Sequence, residues 1–541
     1  MRTLLVVLLS AIGVFTGGTP ARSTGSGHAS WLTPSVLSGA GARGPRVAVD
    51  ARGDVTVVWG TKDGTDQGVL EAAIRPAGGS FEAVQDVSAP GLWAGPDLGV
   101  DRAGNATVLW ASGDPPNVVV RVATRTTGGR FGPARNLGGP DTIVSSPRIA
   151  VDPKGDAIAM WLASDDPISS TCCYAYTLRA AFRPAGGSFG PAENVLTFPA
   201  DPQVASFKLA IDAKGDAVVV SLASRLPRSF VYAAYRQAGG KFGASKTLTE
   251  ASGQTGPNGQ LFYVNDVDAA IDSRGGAVAT WWNSGRIQAA FRSASGAWQS
   301  PHDLGRPGAC CTGPTIAVDA RGNAVAAWIV SRAGTVQAST LAAGSRRWRT
   351  PQILSRPGDR ALSEAPAVAV GARGDVVVAW AANRTPAAIV AAVRPRGGRF
   401  APSQDVWHGP GFARVGPPQV AVDPQGNATA LWGTTPSPLP RDSHSGYIQA
   451  AGYDAAGPQL RGLRIPASAS VGGVLHLSVV PLDVWSGVSK TRWNFGDGAY
   501  AVGQRVQHAY RHPGSYQVIV TSTDRLGNAT RARRTMLIGP R

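Results

Sequence analysis

A motif that returns eight times constrains the fold of this 541-residue chain more than any other feature. Each copy begins with a short apolar strand that ends in Asp, continues through a turn containing Gly, and closes with a second strand that usually ends in Trp. A spacing of about 50 residues is typical of propellers and related repeat folds. The marker residues are Asp50, Asp101, Asp152, Asp212, Asp272, Asp319, Gly371 in the seventh copy, and Asp423.

Each repeat predicts four antiparallel strands. In the first copy, residues 47–50 and 54–59 alternate as two strands, and Gly53 supplies the positive φ that their tight turn needs. A third strand is expected at residues 70–75, and a fourth is expected to begin at Phe81 after a Gly pair. The pattern therefore predicts an all-β chain with an eight-bladed β-propeller of four-stranded blades.

The two ends of the repeat region suggest how the ring closes. Residues 31–38 share Trp, Thr, Pro, Leu and Ser with residues 348–355 at one constant offset, so they read as a fourth strand without a blade of its own. The last repeat reaches only a third strand, at residues 447–453. We expect the N-terminal strand to complete the eighth blade, because this pairs the open sheet edges.

The recurrent Trp residues predict packing rather than ligand stacking. They occupy one repeat position, and we expect them to lie between neighbouring blades. The fourth copy has Ser221 there, which predicts a locally weaker interface. The residues are Trp59, Trp110, Trp161, Trp281, Trp328, Trp380 and Trp432.

The repeat stops near Pro458, and residues 458–541 resemble the PKD (polycystic kidney disease) domain, an immunoglobulin-type β-sandwich. Four elements agree in order and spacing: residues 493–498, 508–510, 513–516 and 524–528. The family usually has Asp where Asn494 stands. The resemblance implies a non-catalytic spacer or contact module, with a structural motif of Trp493, Phe495, Gly496, Asp497, Gly498, Tyr510, Gly514 and Tyr516.

The N-terminus predicts secretion. Residues 1–21 have the short basic start, apolar run and small-residue cleavage site of a signal peptide. We then expect the propeller at 30–457 and the PKD-like sandwich at 458–541, with no membrane insertion. The net charge of +17 is spread along the chain without a basic run or a nucleic-acid motif. It could attract an anionic cell-wall polymer, and it argues against nucleic-acid binding.

The four Cys form two adjacent pairs, Cys172–Cys173 and Cys310–Cys311. An exported chain with an even Cys count favours disulfides, and two vicinal bridges are the preferred interpretation. Free thiols and a metal site remain alternatives. The Asp-containing turn superficially resembles a calcium loop, but it is short and often carries Arg or Lys, which favours a structural turn. We expect no cofactor, with calcium as the alternative.

The candidate binding face bears the loops between strands two and three and those between blades. Its predicted residues are Asp165, Asp166, Asp201, Asp266, Asp268, Glu364, Asp442 and His444. The interpretation favoured is a secreted binding or adhesion protein that presents this face to a glycan or protein. The alternative is a carbohydrate-active enzyme, a glycoside hydrolase or lyase resembling a sialidase propeller, with two carboxyls in the propeller mouth.

Overall fold

The computed structural model describes residues 22–23, 29–62, 67–164, 176–198, 203–225, 228–252, 254–255, 261–262, 264–305, 313–330, 334–345, 347–362, 365–409, 414–435 and 446–540. Within these ranges every regular element is a β-strand and no helix occurs. The chain divides into two compact units, Ser30–Ala455 and Ala456–Arg541, the second together with Met1–Ala29.

The first unit is built from antiparallel sheets, numbered here 1 to 8 in chain order. Sheets 1 to 4 contain Ala42–Val49, Val55–Thr61, Leu70–Arg75 and Gln85–Asp86; Trp93–Val100, Ala106–Ser112, Val118–Arg125 and Arg135–Asp141; Ile143–Val151, Ala157–Ser164, Tyr176–Arg183 and Glu193–Phe198; and Gln203–Ile211, Ala217–Arg225, Arg228–Arg236 and Lys246–Ser252. A small pair, Gln254–Thr255 and Leu261–Phe262, follows sheet 4.

Sheets 5 to 7 contain Val264–Ile271, Ala277–Asn283, Arg286–Arg292 and His302–Gly305; Thr315–Val318, Ala324–Val330, Thr335–Leu341 and Gln352–Ile353; and Ala367–Val370, Val376–Ala382, Ala388–Arg394 and Gln404–His408. Sheet 8 contains Arg414–Val415, Gln419–Val422, Ala428–Thr435, Tyr447–Asp454, Ser30–Trp31 and Ser35–Val36. Many four-stranded antiparallel sheets in series are the arrangement of a β-propeller.

The first strands of successive sheets lie side by side, and the first strand of sheet 8 also contacts that of sheet 1. In sheet 8 the two N-terminal segments pair antiparallel with Tyr447–Asp454. Trp31 lies opposite Tyr453, with their ring centroids 5.1 Å apart, and Val36 lies opposite Gln449.

The strand bounds correct two details of the sequence prediction. Fourth strands do not begin at the aromatic residue: in sheet 1 the strand is Gln85–Asp86, after Phe81. In sheets 1 to 5 the first strand begins earlier than predicted, because a β-bulge lengthens it, as between Arg43 and Arg46 in sheet 1. In sheets 1, 2, 3 and 5 one residue of the bulge has positive φ: Gly44, Gly95, Ser146 and Asp266.

The marker Asp organises the turn between strands one and two. In sheet 3, Asp152 Oδ1 accepts the amides of Lys154 and Asp156 at 2.8 and 3.0 Å. Asp156 Oδ1 in turn accepts the amide of Ala185 at 2.7 Å, which joins the two hairpins of the sheet. This second role needs only an acceptor, so Asn serves equally at Asn105 in sheet 2.

The recurrent Trp side chains are buried between sheets. Each is at most 1% exposed, and Trp161 of sheet 3 packs in a cluster with Leu109 and Val120 of sheet 2. At the fourth position Ser221 is also fully buried, and Phe207 and Tyr232 belong to the cluster that joins sheets 3 and 4. The space between these sheets is therefore filled from the strands on either side of Ser221.

The second unit packs two sheets around one core. The smaller contains Gln459–Arg464, Leu475–Leu482 and Arg505–His508; the larger contains Arg22–Ser23, Ala529–Gly539, Gly514–Asp524, Val488–Asn494 and Tyr500–Val502, with Ser468–Ser470 parallel to Ala529–Gly539. Leu477 from one sheet and Trp493 and Val518 from the other are almost fully buried in the shared core.

Candidate functional site

A cavity of about 410 Å³ opens among the first strands of sheets 3 to 6 and the segment before sheet 7. We call it the channel pocket. It is lined by residues of the first strands of successive sheets, and these strands lie side by side. Its lining residues are Ser146, Arg148, Ser206, Phe207, Lys208, Asp266, Val267, Asp268, Gly313, Pro314, Thr315 and Ala365.

The β-bulges place polar groups at this cavity. Ser146 has φ of 53° and Asp266 has φ of 43°, so both non-glycine residues adopt the left-handed conformation. This conformation is unfavourable for a residue with a Cβ, and such strain is found preferentially at functional sites. Arg148 and Asp268 follow two positions later and also line the pocket.

One repeat position, four residues before the marker, supplies the charge of the region. Sheets 1 to 5 place a charged residue there, whereas sheets 6 to 8 place a neutral one. In order, the residues are Arg46, Asp97, Arg148, Lys208, Asp268, Thr315, Ala367 and Gln419.

The carboxylates at this position link neighbouring sheets. Asp97 Oδ1 accepts from Arg46 Nε at 3.3 Å, and its Oδ2 accepts the amide of Ile149 at 2.9 Å. Asp268 Oδ2 accepts the amide of Ile316 in the next sheet at 2.9 Å. Asp266 is the exposed carboxylate of the pocket, and its Oδ2 accepts the amide of Gly313 at 2.9 Å.

Burial disfavours the charged forms of both an acidic and a basic residue of the pocket. It raises the pKa of Asp268, although Lys208, the amide of Ile316 and Arg148 act to lower it. Burial likewise lowers the pKa of Arg148, and Asp97 acts to raise it. The pocket thus holds ionisable groups that are partly removed from water, a property common at functional sites.

The arrangement can bind a ligand that carries both hydroxyl and charged groups. Arg148 and Lys208 donate hydrogen bonds, Asp266 and Asp268 accept them, and Phe207 forms part of an apolar wall. A concave site with a few convergent polar groups on an apolar lining is the usual form of a small-ligand site.

Two of the sequence-predicted binding residues, Asp266 and Asp268, lie in this pocket. The remaining ones, and both Cys pairs, lie outside the described residues: Asp165, Asp166, Asp201, Glu364, Asp442, His444, Cys172, Cys173, Cys310 and Cys311. Residues 1–21 also lie outside the described residues.

Sequence reasoning did not find the cations of the pocket. Arg148, Lys208 and Phe207 lie on first strands. Asp266 and Asp268 also lie on a first strand, so the sequence prediction that placed them in loops was wrong on this point. The signal was present in the repeat itself, because aligning the position four residues before each marker shows the change from charged to neutral residues.

The residues of the PKD-like motif in the second unit are held by burial, hydrogen bonds and ring packing. Trp493 and Phe495 are buried, Trp493 Nε1 donates to the carbonyl of Gly503 at 2.9 Å, and Tyr510 Oη donates to the carbonyl of Phe495 at 2.8 Å. Tyr516 packs against Tyr510, with ring centroids 4.2 Å apart. Gly496, Gly498 and Gly514 have positive φ, the first two in the turn that precedes residues 500–502.

Asp497 and His508 form a side-chain pair on this unit. Asp497 Oδ2 lies 2.7 Å from His508 Nε2, and His508 stacks on Phe495 with ring centroids 4.0 Å apart. Partial burial acts to raise the pKa of Asp497, but the amide of Ala499 and His508 outweigh it and the pKa is lowered. The pair fastens the turn to the neighbouring strand.

Comparison with known families identifies this unit. Residues 467–538 match the PKD domain family. The C-terminal unit contains a PKD domain. PKD domains are typical of extracellular proteins, and among the described residues no helix is long and apolar enough to cross a membrane.

The other comparisons concern curated proteins and solved structures. No curated protein matches it significantly. A protein of unknown function from Dyadobacter fermentans has a TM-score of 0.38 and 9% identity, covering 78% of this chain and 99% of its own. Polysaccharide lyase Uly1 has a TM-score of 0.41 and 8% identity, covering 77% and 90%. The PKD1 domain of Vibrio cholerae metalloprotease PrtV has a TM-score of 0.13 and 23% identity, covering 15% and 96%.

Proposed function

We propose that this chain is a secreted binding protein that holds an extracellular glycan or protein in the channel pocket of an eight-bladed propeller. In this proposal residues 1–21 are a signal peptide, the N-terminal strands complete the last blade, and the PKD domain at 458–541 serves as spacer or contact module. Two vicinal disulfides stiffening the loops around the pocket belong to the same proposal.

The observation that carries the proposal is the charge distribution around the channel pocket. Arg148, Lys208, Asp266 and Asp268 line one cavity beside the buried ring of Phe207. Donors, acceptors and an apolar wall match the hydroxyls, charged substituents and C–H faces of a sugar. The carboxylates of Asp97 and Asp268 also act to raise the pKa of Arg148, which offsets part of the effect of its burial.

The test is a glycan array probed with the full chain lacking residues 1–21. Asp268→Asn and Lys208→Met should each weaken binding of the recognised glycan at least tenfold. Gln419→Ala is the matched control, because Gln419 occupies the same repeat position in sheet 8 but does not line the pocket. Equal binding by all three variants would place the ligand elsewhere.

A carbohydrate-active enzyme is the second candidate, and the raised pKa of Asp268 favours it. A glycosidase needs one carboxyl that stays protonated and a second that is ionised, and burial acts on Asp268 in the first sense. Incubating each glycan bound on the array with the chain distinguishes the two functions. Release of reducing ends or unsaturated products that Asp268→Asn abolishes would establish the enzyme, whereas binding without turnover establishes the binding protein.

A further inference from the structure

A second cavity lies at the other end of the first unit, between sheets 6 and 7 beside the marker turns. Its volume is about 210 Å³, and five arginines line it together with Asp319 and Asn323. We call it the arginine pocket. The arginines are Arg321, Arg349, Arg373, Arg394 and Arg396.

The carboxylate that lines this pocket already accepts hydrogen bonds from the marker turn. Among the described lining residues, Asp319 is the only carboxylate. It accepts the amides of Arg321 and Asn323, both at 2.9 Å, and the side-chain amide of Asn323 at 2.7 Å. These bonds build the turn, so five guanidinium groups surround one carboxylate that has a structural task.

An equivalent pocket between sheets 3 and 4 shows which arginines recur among the repeats. It has a volume of about 190 Å³ and contains only two, Arg183 and Arg236, at the ends of third strands. Arg236 donates to the carbonyl of Gly215 at 3.1 Å and lies over the ring of Phe182 at 4.3 Å. Arg394 occupies the same repeat position, at the end of the third strand of sheet 7.

Arg396 and Arg349 have no counterpart in the other repeats. The residues at the position of Arg396, just after the third strand, are Ala77, Thr127, Ala185, Ala238, Ala294, Ala343 and Ala455. Those at the position of Arg349, whose amides bond back to the third strand, are Leu32, Glu82, Gly132, Gly190, Gly243, Gln299 and Ala401. The repeat architecture therefore needs neither arginine, yet both line the same pocket.

The cations of this pocket oppose one another. Burial lowers the pKa of Arg394; Asp319 acts to raise it, Arg349 acts to lower it, and Asp375 acts to raise it. The Nε of Arg394 is buried and donates no hydrogen bond among the described residues. A bound anion would relieve this repulsion and use the free donors, since guanidinium groups bind oxyanions through paired hydrogen bonds.

We propose that the arginine pocket binds a tetrahedral oxyanion, the sulfate or phosphate group of an extracellular polymer. Arg349 and Arg396 supply the donors that distinguish this pocket from its counterpart, and Arg394 lines the same cavity. The proposal is independent of the function assigned to the channel pocket, because the two cavities share no residue.

Isothermal titration of the full chain lacking residues 1–21 with inorganic sulfate and inorganic phosphate, in 0.15 M NaCl, tests the site. We expect one saturable site that Arg349→Gly/Arg396→Ala weakens at least tenfold. These substitutions introduce residues that other repeats carry at the same places, so folding should be preserved, as a thermal melt will show. Arg102→Ala/Arg130→Ala removes the same charge from sheet 2 and should change affinity less than twofold. Equal loss in both double variants, or no saturable binding, would overturn the proposal.

Polymer binding identifies the source of the anion. Retention on immobilised polyphosphate alone assigns a phosphate polymer, and retention on dextran sulfate alone assigns a sulfated glycan, in each case abolished by the arginine-pocket variant. Equal retention on hyaluronan, which carries only carboxylates, would show generic charge attraction and contradict the proposal.

Discussion

The row of side chains across the middle of sheet 4 differs from the corresponding row of sheet 5. In sheet 5 the row runs from Val267 to Trp281 to Gln288, with the large residue on the second strand. In sheet 4 it runs from Phe207 through Ser221 to Tyr232, so aromatic residues flank a small centre. The repeat therefore maintains a filled interface without maintaining the residue that fills it.

This exchange also affects the candidate site. Val267 and Phe207 both line the channel pocket, so moving the large side chain to the first strand places an aromatic ring in its wall. The other sheets with a bulge and Trp have Pro at the corresponding place, as at Pro147 in sheet 3. A change that leaves packing intact thus places a buried aromatic ring next to the polar groups of the pocket.

The largest expected effect is a loss of folding stability, and it shows whether Phe207 packs in place of a Trp. Phe207→Ala and Trp281→Ala should each destabilise the chain by about 3–5 kcal/mol, because both side chains are almost fully buried. Urea unfolding followed by Trp fluorescence and by circular dichroism measures the two losses. A loss below about 1 kcal/mol for Phe207→Ala would show that the sheet 3–4 interface does not depend on it.

The next prediction concerns Ser221, the small residue at the centre of the row in sheet 4. Ser221→Trp should destabilise by about 3 kcal/mol, since Phe207 and Tyr232 already occupy the space and overpacking is costly. Copying the whole row of sheet 5, as Phe207→Val/Ser221→Trp/Tyr232→Gln, should restore stability to within about 1 kcal/mol of the native chain. This recovery would appear in a mutant cycle as strong coupling among the three sites.

If the triple variant is less stable than the sum of its parts, the two rows are not alternative solutions. The residues that compensate for the missing Trp would then include other members of the aromatic cluster, such as Phe198, whose ring centroid lies 6.1 Å from that of Tyr232.

The triple variant also separates packing from binding. It removes the aromatic wall of the channel pocket while retaining Arg148, Lys208 and Asp268, so affinity for the glycan found on the array should fall about tenfold, close to 1.4 kcal/mol. The control is Trp328→Phe, a conservative change at an interface that leaves the row of sheet 4 untouched. Unchanged affinity in a folded triple variant would exclude Phe207 from recognition.

Much of the fold could be predicted from the sequence because its information is local. The interval between marker residues, the alternation of apolar positions and the turn glycines all lie within one repeat. The PKD resemblance likewise rests on short elements of fixed order, and residues 467–538 match that family.

What sequence reasoning missed depends on contacts between strands. The compensation of Ser221 by Phe207 and Tyr232 is visible only once the register sets the three side by side. The bulges were missed because Gly44 and Asp266 share a backbone conformation but no residue type. The cations of the channel pocket were missed since Arg148 and Lys208 occur in strands, where isolated charges carry no motif.

The smallest expected effect sharpens the comparison at Ser221 itself. Its hydroxyl is buried, and Oγ has no hydrogen-bond partner among the described residues. A buried hydroxyl without a partner costs free energy, so Ser221→Ala should stabilise the chain by about 0.5–1 kcal/mol. Thr280→Ser, at a buried hydroxyl one position before the Trp of sheet 5, provides a control that keeps the hydroxyl.

If Ser221→Ala is instead destabilising, the hydroxyl has a bonding role, and the centre of the sheet 4 row is polar by requirement. A stabilised variant would show that the centre need only be small, which is the condition under which aromatic residues from both neighbouring strands can close the interface.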